Sequence, residues 1–458
     1  MKTLKFLLGL ALPLPVAIPA LFLVLVGGVG YGILATKRGL YPVKQVEELV
    51  AFVRGTGETH ETTLREKVLN DLGVVPLRHL RDRVRVDGIE TVPVDAGETR
   101  FRDVRSVPRW WRDPDKQFDD LVMIYGVFEF DNGRSGMVLF DPVEGQILRH
   151  WAIPADDFVA RPEKFGFDPN SGIIIDNAGW KLHAHDFCGS PLWQRDGISS
   201  HHSVEFEEGG ALWHWEALDI VRRSSTGEEL RRFSVWDVIA ANPERTAMHV
   251  RMNALSWLIE EAPGFSTHSE WTAKDQKGEP VSRYDPFHGN DIQPMPEGFS
   301  DRYVGPHVGI SYRSLNLVQI VNTETLEIVD ELAGRLSRQH DIDFNEDGSI
   351  TIFDNRNSIG SVQIVEWRPD EGEVEVVYDG ASMQQYNIAH GNHTKYRPGS
   401  FMMVDFWGRV YAVENGEPVF LFENFFDDLS TLTLYNAWLL PRFNYSNLMA
   451  ACENSDNG

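Results

Sequence analysis

The chain has 458 residues, of which 42% are hydrophobic and 24% charged, an ordinary balance for a globular protein. Its formal net charge of −25, with no long basic run to offset it, argues against a nucleic-acid partner. Its 13 Trp and 39 Gly favour an all-β protein rich in aromatic side chains and turns. The two cysteines, Cys188 and Cys452, are too few for a metal cluster; they either pair in an oxidising compartment or remain free thiols.

The N-terminal stretch predicts a membrane anchor. Residues 6–36 carry no charged side chain, and basic residues flank them on both sides. About 20 apolar residues span a bilayer, so this run is long enough with tilt to spare. It is longer than the core of a cleaved signal peptide and lacks a convincing small-residue cleavage site. We therefore predict an uncleaved transmembrane helix within residues 1–37, with an orientation that the similar flanks leave open.

Residues 38–85 have a helical pattern. Apolar residues recur at three- and four-residue spacing (Val43, Val46, Leu49, Val50 and Val53), and a second short helix is predicted near residues 62–72. The segment is either a stalk that lifts the main domain off the bilayer or a helical pair packed on that domain. After Val86 short apolar runs alternate with turns, for example at residues 121–130, 136–140, 146–153 and 172–175, which predicts one large β-domain over 86–458.

A hairpin recurs along this domain. Residues 340–356 open on His340, reverse at Asp347-Gly348 and end at Asp354-Asn355-Arg356. Without gaps, residues 202–216 align on 340–354, 291–298 on 341–348, and 399–405 on 348–354; residues 318–321 and 362–365 are both Val-Gln-Ile-Val. Four strands in about 40–50 residues are typical of a propeller blade, so the fold class predicted is an all-β, six-bladed β-propeller.

Such a fold would bring distant polar residues together, because equivalent positions of successive blades lie on one ring around the central channel. The residues at or near the start of the first strands are His202, His288, Asn290, His340, His390 and His393, and Arg313 and Arg356 precede the two Val-Gln-Ile-Val segments. Taken singly, each histidine is more typical of a hydrogen-bonded structural residue. Taken as a set, they predict a site at the mouth of the channel.

Two kinds of chemistry fit this set. Neutral imidazoles with arginines can hold an anion through charge-assisted hydrogen bonds, and a histidine can act as a nucleophile. Alternatively, histidines with Asp291, Asp341 or Asp354 can bind a transition metal. The arginines would repel a cation, and no compact metal-ligand motif is present, so we expect no metal.

Several segments resemble the bacterial arylsulfate sulfotransferase (arylsulfotransferase, ASST) family over about residues 200–422. The resemblance rests on Gln339-His340-Asp341, the Asp347-Gly348 turn, Ile352-Phe353-Asp354-Asn355, Ser361-Val-Gln-Ile-Val and Ile310-Ser-Tyr-Arg313. It implies a six-bladed, usually periplasmic propeller that moves a sulfuryl group from a phenolic sulfate ester to another phenol, without a nucleotide donor or other cofactor. In such enzymes a channel histidine is transiently sulfated.

By this resemblance, His340, Arg356 and His288 are catalytic, and the nucleophile is His390 or His393. Arg313, His202, Asn290 and Asn355 are expected to bind the substrate. The resemblance implies an aryl sulfate and a phenol as partners and a periplasmic propeller. The predicted N-terminal helix adds a membrane, as an anchor in the bacterial inner membrane. The alternative is a non-catalytic, membrane-tethered propeller that binds an anionic ligand or a protein.

Overall fold

The computed structural model describes residues 74–76, 86, 88–103, 106–152, 165–178, 181–198, 200–245, 287–356, 360–387, 390–427 and 430–456. The predicted anchor over 1–37 lies outside these residues, as does the predicted stalk over 38–85 apart from residues 74–76. Within the described ranges, no helix has both the length and the apolar character needed to cross a bilayer.

Strands dominate the first half of the described chain. Three short strands come first: β1 (Val74–Pro76), β2 (Val92–Pro93) and β3 (Arg109–Arg112). Blade one then begins with β4 (Leu121–Glu129), β5 (Arg134–Asp141) and β6 (Gln146–Ala152). Blade two contains β7 (Phe165–Phe167), β8 (Ile174–Ala178), β9 (Lys181–His185) and β10 (Pro191–Asp196). Blade three contains β11 (Ser200–Phe206), β12 (Leu212–Glu216), β13 (Asp219–Arg223) and β14 (Glu229–Ser234), followed by helix α1 (Val235–Ala241).

The second half repeats this order. Blade four contains β15 (Gly289–Pro294), β16 (His307–Tyr312), β17 (Leu317–Asn322) and β18 (Ile328–Ala333), with a 3₁₀ turn at Arg313–Leu315. Blade five contains β19 (Ile342–Phe344), β20 (Ile350–Asp354), β21 (Gln363–Arg368) and β22 (Glu373–Asp379). Blade six contains β23 (Asn392–Arg397), β24 (Ser400–Asp405), β25 (Arg409–Glu414) and β26 (Glu417–Glu423). The chain continues through β27 (Phe425–Asp427), β28 (Ser430–Leu432), β29 (Leu434–Leu440) and helix α2 (Arg442–Asp456).

The strands form a closed ring of antiparallel blades. The last strand, β29, pairs with β4 and becomes the innermost strand of blade one, while β3 and β2 extend the outer edge of blade six. Strands β1, β28 and β27 form a separate small sheet. The rings of Phe165 in β7 and Trp438 in β29 lie 6.2 Å apart, so blade two meets the inner strand of blade one. The prediction of an all-β, six-bladed propeller is confirmed for the described residues.

Packing between blades explains why the middle strands are apolar on both faces. Every residue of β4, β16 and β24 is buried, whereas the outer strand β22 is largely exposed. Among the described residues, the buried apolar side chains form six clusters, one at each interface between neighbouring blades. A sheet covered on both faces buries its central strands completely, as observed.

The repeated hairpin is also confirmed. In blade five Ile342 of β19 pairs with Ile352 of β20, and Gly348 turns the chain with a φ of 77° that favours glycine. The aligned residues 202–216 form β11 and β12, the first two strands of blade three. The two Val-Gln-Ile-Val segments fall at the third strands β17 and β21.

Cys188 and Cys452 form a disulfide with Cα atoms 5.4 Å apart, which decides between the two possibilities that the sequence left open. The bond ties α2 to blade two across 264 residues of chain. Leu448 of α2 packs in the same apolar cluster as Phe167 and Phe187. The helix is therefore held to the propeller by both a covalent and an apolar contact.

We expect the Cys188→Ser/Cys452→Ser double variant to lose about 2–5 kcal/mol of unfolding free energy, because the crosslink restricts the unfolded chain over a long loop. The measurement is urea unfolding of the variant and of the wild type, with and without reductant. Reductant should shift the wild-type midpoint and leave the variant unchanged. An equal midpoint for all four samples would contradict the prediction.

His214 of β12 is a completely buried histidine. Arg223 donates from Nε to His214 Nε2 at 3.0 Å, so Nδ1 carries the proton and donates to the Trp215 carbonyl oxygen at 3.2 Å. Burial is the main cause that lowers the pKa of His214 to about 4, with Glu216 opposing it. The neutral form is thus favoured in the folded protein.

Since the unfolded pKa is about 6.5, the stability that this shift contributes is complete above that pH and is lost as the pH falls towards 4. We expect roughly 3 kcal/mol of the acid-side loss in unfolding free energy to come from His214. His214→Gln, although less stable at neutral pH, should show a shallower decline. The measurement is urea unfolding over this pH window; parallel declines in the two proteins would refute the assignment.

Candidate functional site

Side chains at equivalent positions of three inner strands reach across to the next blade. Each accepts a hydrogen bond from a backbone N–H of the following inner strand. The bonds run from Ile292 N to Ser203 Oγ (3.0 Å), from Ile342 N to Asp291 Oδ2 (3.0 Å) and from His393 N to Asp341 Oδ2 (2.8 Å). These bonds place the inner strands at matching heights, so the residues that precede them form one layer around the channel.

A small cavity of about 60 Å³, which we call the mouth cavity, lies where the inner strands begin. Its walls are formed by His202, Ser203, Glu205, Asn290, Asp291, His340, Asp341, His390, Gly391, Asn392, Tyr435 and Asn436. The structure therefore brings together four of the predicted site residues, namely His202, Asn290, His340 and His390. They come from blades three to five and from the start of blade six, as the repeat implied.

His340 is held in one tautomer by two neighbours. The backbone N–H of His390 donates to its Nε2 at 3.1 Å, so the proton lies on Nδ1, which is 2.5 Å from Asn355 Oδ1. Asn355 in turn donates from Nδ2 to the His390 carbonyl oxygen at 2.6 Å. Both nitrogens of His340 and both ends of the buried Asn355 amide are thus engaged in holding His390 in place.

The pKa of His340 lies well below its usual range. Burial is the main cause, and His390, Arg313 and His288 act in the same direction, while the bond to Asn355 opposes them. His340 is therefore neutral at physiological pH. The positive charge near the mouth comes from Arg313, and burial lowers the pKa of its guanidinium, with Arg338 adding to the effect.

The remaining mouth histidines form ring contacts. His202 and His288 lie with ring centroids 4.8 Å apart. The His390 ring stacks on Phe406 with centroids 5.9 Å apart and meets Tyr435 edge-on at 5.3 Å. His202, His288 and His390 all have positive φ angles, of 63°, 48° and 59°. Such angles are uncommon outside glycine and cluster at functional sites, where the surrounding structure imposes them.

The two predicted arginines differ in position. Arg313 follows β16, and its backbone N–H donates to the His288 carbonyl oxygen at 3.0 Å. Within the described part of the chain its Nε is buried without a hydrogen-bond partner. Arg356 instead lies beside Gly360 and interacts electrostatically with Asp354 and Asp379 of its own blade. It does not line the mouth cavity.

His393 lies deeper in the channel than His390 and does not line the mouth cavity. Its side chain is completely buried; Nδ1 is 2.6 Å from Asp341 Oδ2, and Nε2 is 3.9 Å from Asp343 Oδ2. It borders a second cavity of about 1010 Å³ at the other end of the channel, which we call the acidic vestibule. The two cavities share Glu205, Asp341 and Asn392.

Carboxylates crowd this deeper part of the channel. Burial is the main cause that raises the pKa values of Glu205, Asp291 and Asp343 well above the usual range, and neighbouring carboxylates add to each shift. Neither Glu205 nor Asp343 is among the residues predicted from the sequence. The gapless alignment of 202–216 on 340–354 contained the signal, because it sets these two residues on one position, three after each histidine.

Another polar cluster lies away from the channel, in blade two. Asp176 of β8 pairs across the sheet with His183 of β9. His183 Nδ1 lies 3.2 Å and His185 Nε2 3.0 Å from the Asp176 carboxylate oxygens. This cluster faces a cavity of about 480 Å³ that is also lined by Trp151 and Trp193.

A family model described as Arylsulfotransferase (ASST) matches residues 174–390. No curated protein matches the sequence. A solved structure of a protein of unknown function from Bacteroides caccae has a TM-score of 0.45 and 8% identity, covering 70% of this chain and 99% of that one. Virginiamycin B lyase from Staphylococcus aureus has a TM-score of 0.35 and 10% identity, covering 57% of this chain and 69% of that one. BamB from Moraxella catarrhalis has a TM-score of 0.32 and 11% identity, covering 73% of this chain and 76% of that one. TM-scores this low carry no argument about the chain.

The family match begins in β8 and ends at His390, so it contains the inner strands of blades three, four and five. It includes His202, His288, Arg313 and His340, which the structure places at or beside the mouth. This match, over a little under half of the chain, supports membership in the arylsulfotransferase (ASST) family.

Proposed function

We propose that the protein transfers a sulfuryl group from an aryl sulfate ester to a phenol at the mouth cavity, through a sulfated histidine. The observation that carries the proposal is the arrangement around His340 in a chain of this family. A neutral His340 of fixed tautomer holds His390 at the wall of the cavity, and Arg313 lies close enough to His340 to lower its pKa. The proposed nucleophile His390, the neutral His340 that fixes it, and the cation Arg313 thus belong to one group of neighbouring residues.

Of the two candidate nucleophiles, His390 fits the chemistry better than His393. The Nε2 of His393 points towards Asp343, and Glu205 and Asp341 lie close by. A sulfate ester there would face like charges, each worth about 4 kcal/mol at 4 Å in a medium of intermediate dielectric. His390 lies among histidines and aromatic rings instead.

The proposed reaction has two displacements. In the first, the unprotonated ring nitrogen of His390 gives its electron pair to sulfur, the bond between sulfur and the aryl oxygen breaks, and the phenolate leaves with that pair. In the second, the acceptor phenol loses its proton to a neighbouring imidazole, its oxygen attacks sulfur, and the sulfur–nitrogen bond breaks. His202 and His288 are the imidazoles at the mouth that can move these protons.

Charge on the sulfuryl oxygens needs a fixed counter-charge, and the electrostatic effect of Arg313 on His340 supports Arg313 in this role. Its Nε has no hydrogen-bond partner in the described residues, so it can donate to a ligand without breaking a contact. The Nδ2 of Asn290 is engaged with the Gln339 carbonyl oxygen at 2.9 Å, which leaves its Oδ1 at the cavity wall. Asn355 and His340 act by positioning His390.

We expect His390→Ala to lower the turnover of a nitrophenyl sulfate with a phenol acceptor by at least about 10³-fold, because the variant lacks the attacking group. His150→Gln is the matched control, since His150 lies in β6 against Thr99 and Phe130, away from the channel. Release of nitrophenol and mass spectrometry of the trapped sulfated peptide provide the two readouts.

Full turnover by His390→Ala, with label on another histidine, would overturn the assignment of the nucleophile. Binding of aryl sulfate by the wild type without any turnover would support the non-catalytic propeller instead. Loss of both binding and turnover in the His150→Gln control would show that the assay reports folding rather than chemistry.

We also propose that the propeller lies in an oxidising compartment, the periplasm, anchored through the N-terminal apolar run. The Cys188–Cys452 disulfide supports this location, because structural disulfides persist in oxidising compartments and are rare in the cytosol. Fusion of alkaline phosphatase to the C-terminus of the full chain should give active enzyme in whole bacterial cells. Active cytosolic reporter fusions and inactive phosphatase fusions would place the propeller on the other side.

A further inference from the structure

The hydrogen bonds of Asp341 set the orientation of His393. Asp341 Oδ2 accepts both the backbone N–H of His393 (2.8 Å) and the ring Nδ1–H (2.6 Å), while Oδ1 accepts from Asn392 Nδ2 (3.2 Å). The proton of His393 is therefore on Nδ1, and the lone pair on Nε2 points away from Asp341. This is how a carboxylate orients a histidine that ligates a metal ion.

The Nε2 lone pair of His393 has no protein partner in the described chain. The residue is 1% exposed, and both this Nε2 and the facing Asp343 Oδ2 are buried without a hydrogen bond. The two atoms are 3.9 Å apart, too far for a direct bond. Buried imidazole nitrogens are usually hydrogen-bonded, so the two open atoms define a position that suits a water molecule or an ion.

The charge of the surrounding groups indicates the charge of a ligand that fits this position. The charged groups that act on Glu205 and Asp343 within the described residues are all carboxylates, and no Lys or Arg is among them. Lys395, the basic residue nearest in sequence to His393, pairs with Asp347 and Glu366 instead. Buried like charges without a counter-ion repel one another strongly, and a cation placed among them removes that repulsion.

We propose that the channel binds one divalent transition-metal ion, with His393 Nε2 and Asp343 as protein ligands, Asp341 as the residue that positions His393, and Glu205 as a neighbouring carboxylate. An imidazole with carboxylates favours first-row transition metals over calcium or magnesium, which prefer oxygen ligands alone. The site borders the acidic vestibule of about 1010 Å³, so the metal reaches it from the end opposite the mouth and keeps open positions for water. The inference does not depend on the proposed sulfuryl transfer.

The experiment uses the purified full chain, stripped with chelator and titrated with Co²⁺, whose visible absorption reports its ligands. We expect the wild type to bind Co²⁺ with an absorption band that His393→Gln abolishes, and with an affinity that falls at least about 100-fold in His393→Gln and in Asp343→Asn. Zn²⁺ should compete with Co²⁺ and raise the wild-type melting temperature, because it binds only the folded chain.

Asp347→Asn is the matched control. It removes a carboxylate from the same hairpin, one that pairs with Lys395 outside the channel, and should bind Co²⁺ like the wild type. Circular dichroism checks folding, and Asp343→Asn keeps the test decisive if His393→Gln does not fold. A parallel His185→Ala variant identifies binding at the blade-two cluster. Equal binding by wild type, His393→Gln and Asp343→Asn, or loss in His185→Ala alone, overturns the proposal.

Discussion

One hydrogen bond, repeated between blades three and four, four and five, and five and six, aligns the inner strands of this part of the channel. A short polar side chain of one inner strand accepts the backbone N–H of the next inner strand, from Ser203 to Ile292 and from Asp291 to Ile342. A buried N–H that faces a channel would otherwise be left unsatisfied, at a cost of about 1–3 kcal/mol. Because the acceptor sits directly after the mouth residue of its strand, the same bond that joins the blades also sets the height of His202, Asn290 and His340.

The hairpin of blade five makes hydrogen bonds to two histidines of the next blade. His340 and Asp341 are adjacent, and on an extended strand adjacent side chains point in opposite directions. His340 holds His390 through the backbone, while Asp341 holds His393 through both backbone and ring. Two neighbouring residues thus organise two different histidines of blade six, one at each level of the channel.

The channel is electrically polarised along its axis. Arg313 and the neutral His340 lie at or beside the mouth, Asp343 borders the acidic vestibule, and Glu205 and Asp341 line both cavities. The chain as a whole carries a net charge of −25, so an anionic ester approaches a repelling surface and is attracted only locally. A cation held by His393 would reduce the negative potential beneath the mouth. The two proposed sites would then differ in chemistry and still support each other.

The repeat made the fold and the level of the mouth predictable, because gapless alignment identifies equivalent positions whatever the side chains. The direction in which each side chain points was harder to predict. His390 and His393 differ by three positions, yet one faces the mouth and the other faces carboxylates, and only strand register decides which. Arg313 and Arg356 appear equivalent in sequence, but Arg356 interacts with Asp354 and Asp379, its neighbours within its own blade. The Cys188–Cys452 pairing, across 264 residues, has no local signal at all.

Closure through β29 gives the protein an order of assembly. This strand is made after all six blades have begun, yet it is the innermost strand of blade one and supplies Tyr435 and Asn436 to the mouth cavity. During synthesis the histidines of blades three to five are made before β29. Until β29 pairs with β4, the ring between the first and last blades stays open. A nascent chain that stalls before residue 434 therefore contains every mouth histidine and still lacks one wall of the cavity. Completion of the ring and completion of the site are the same event.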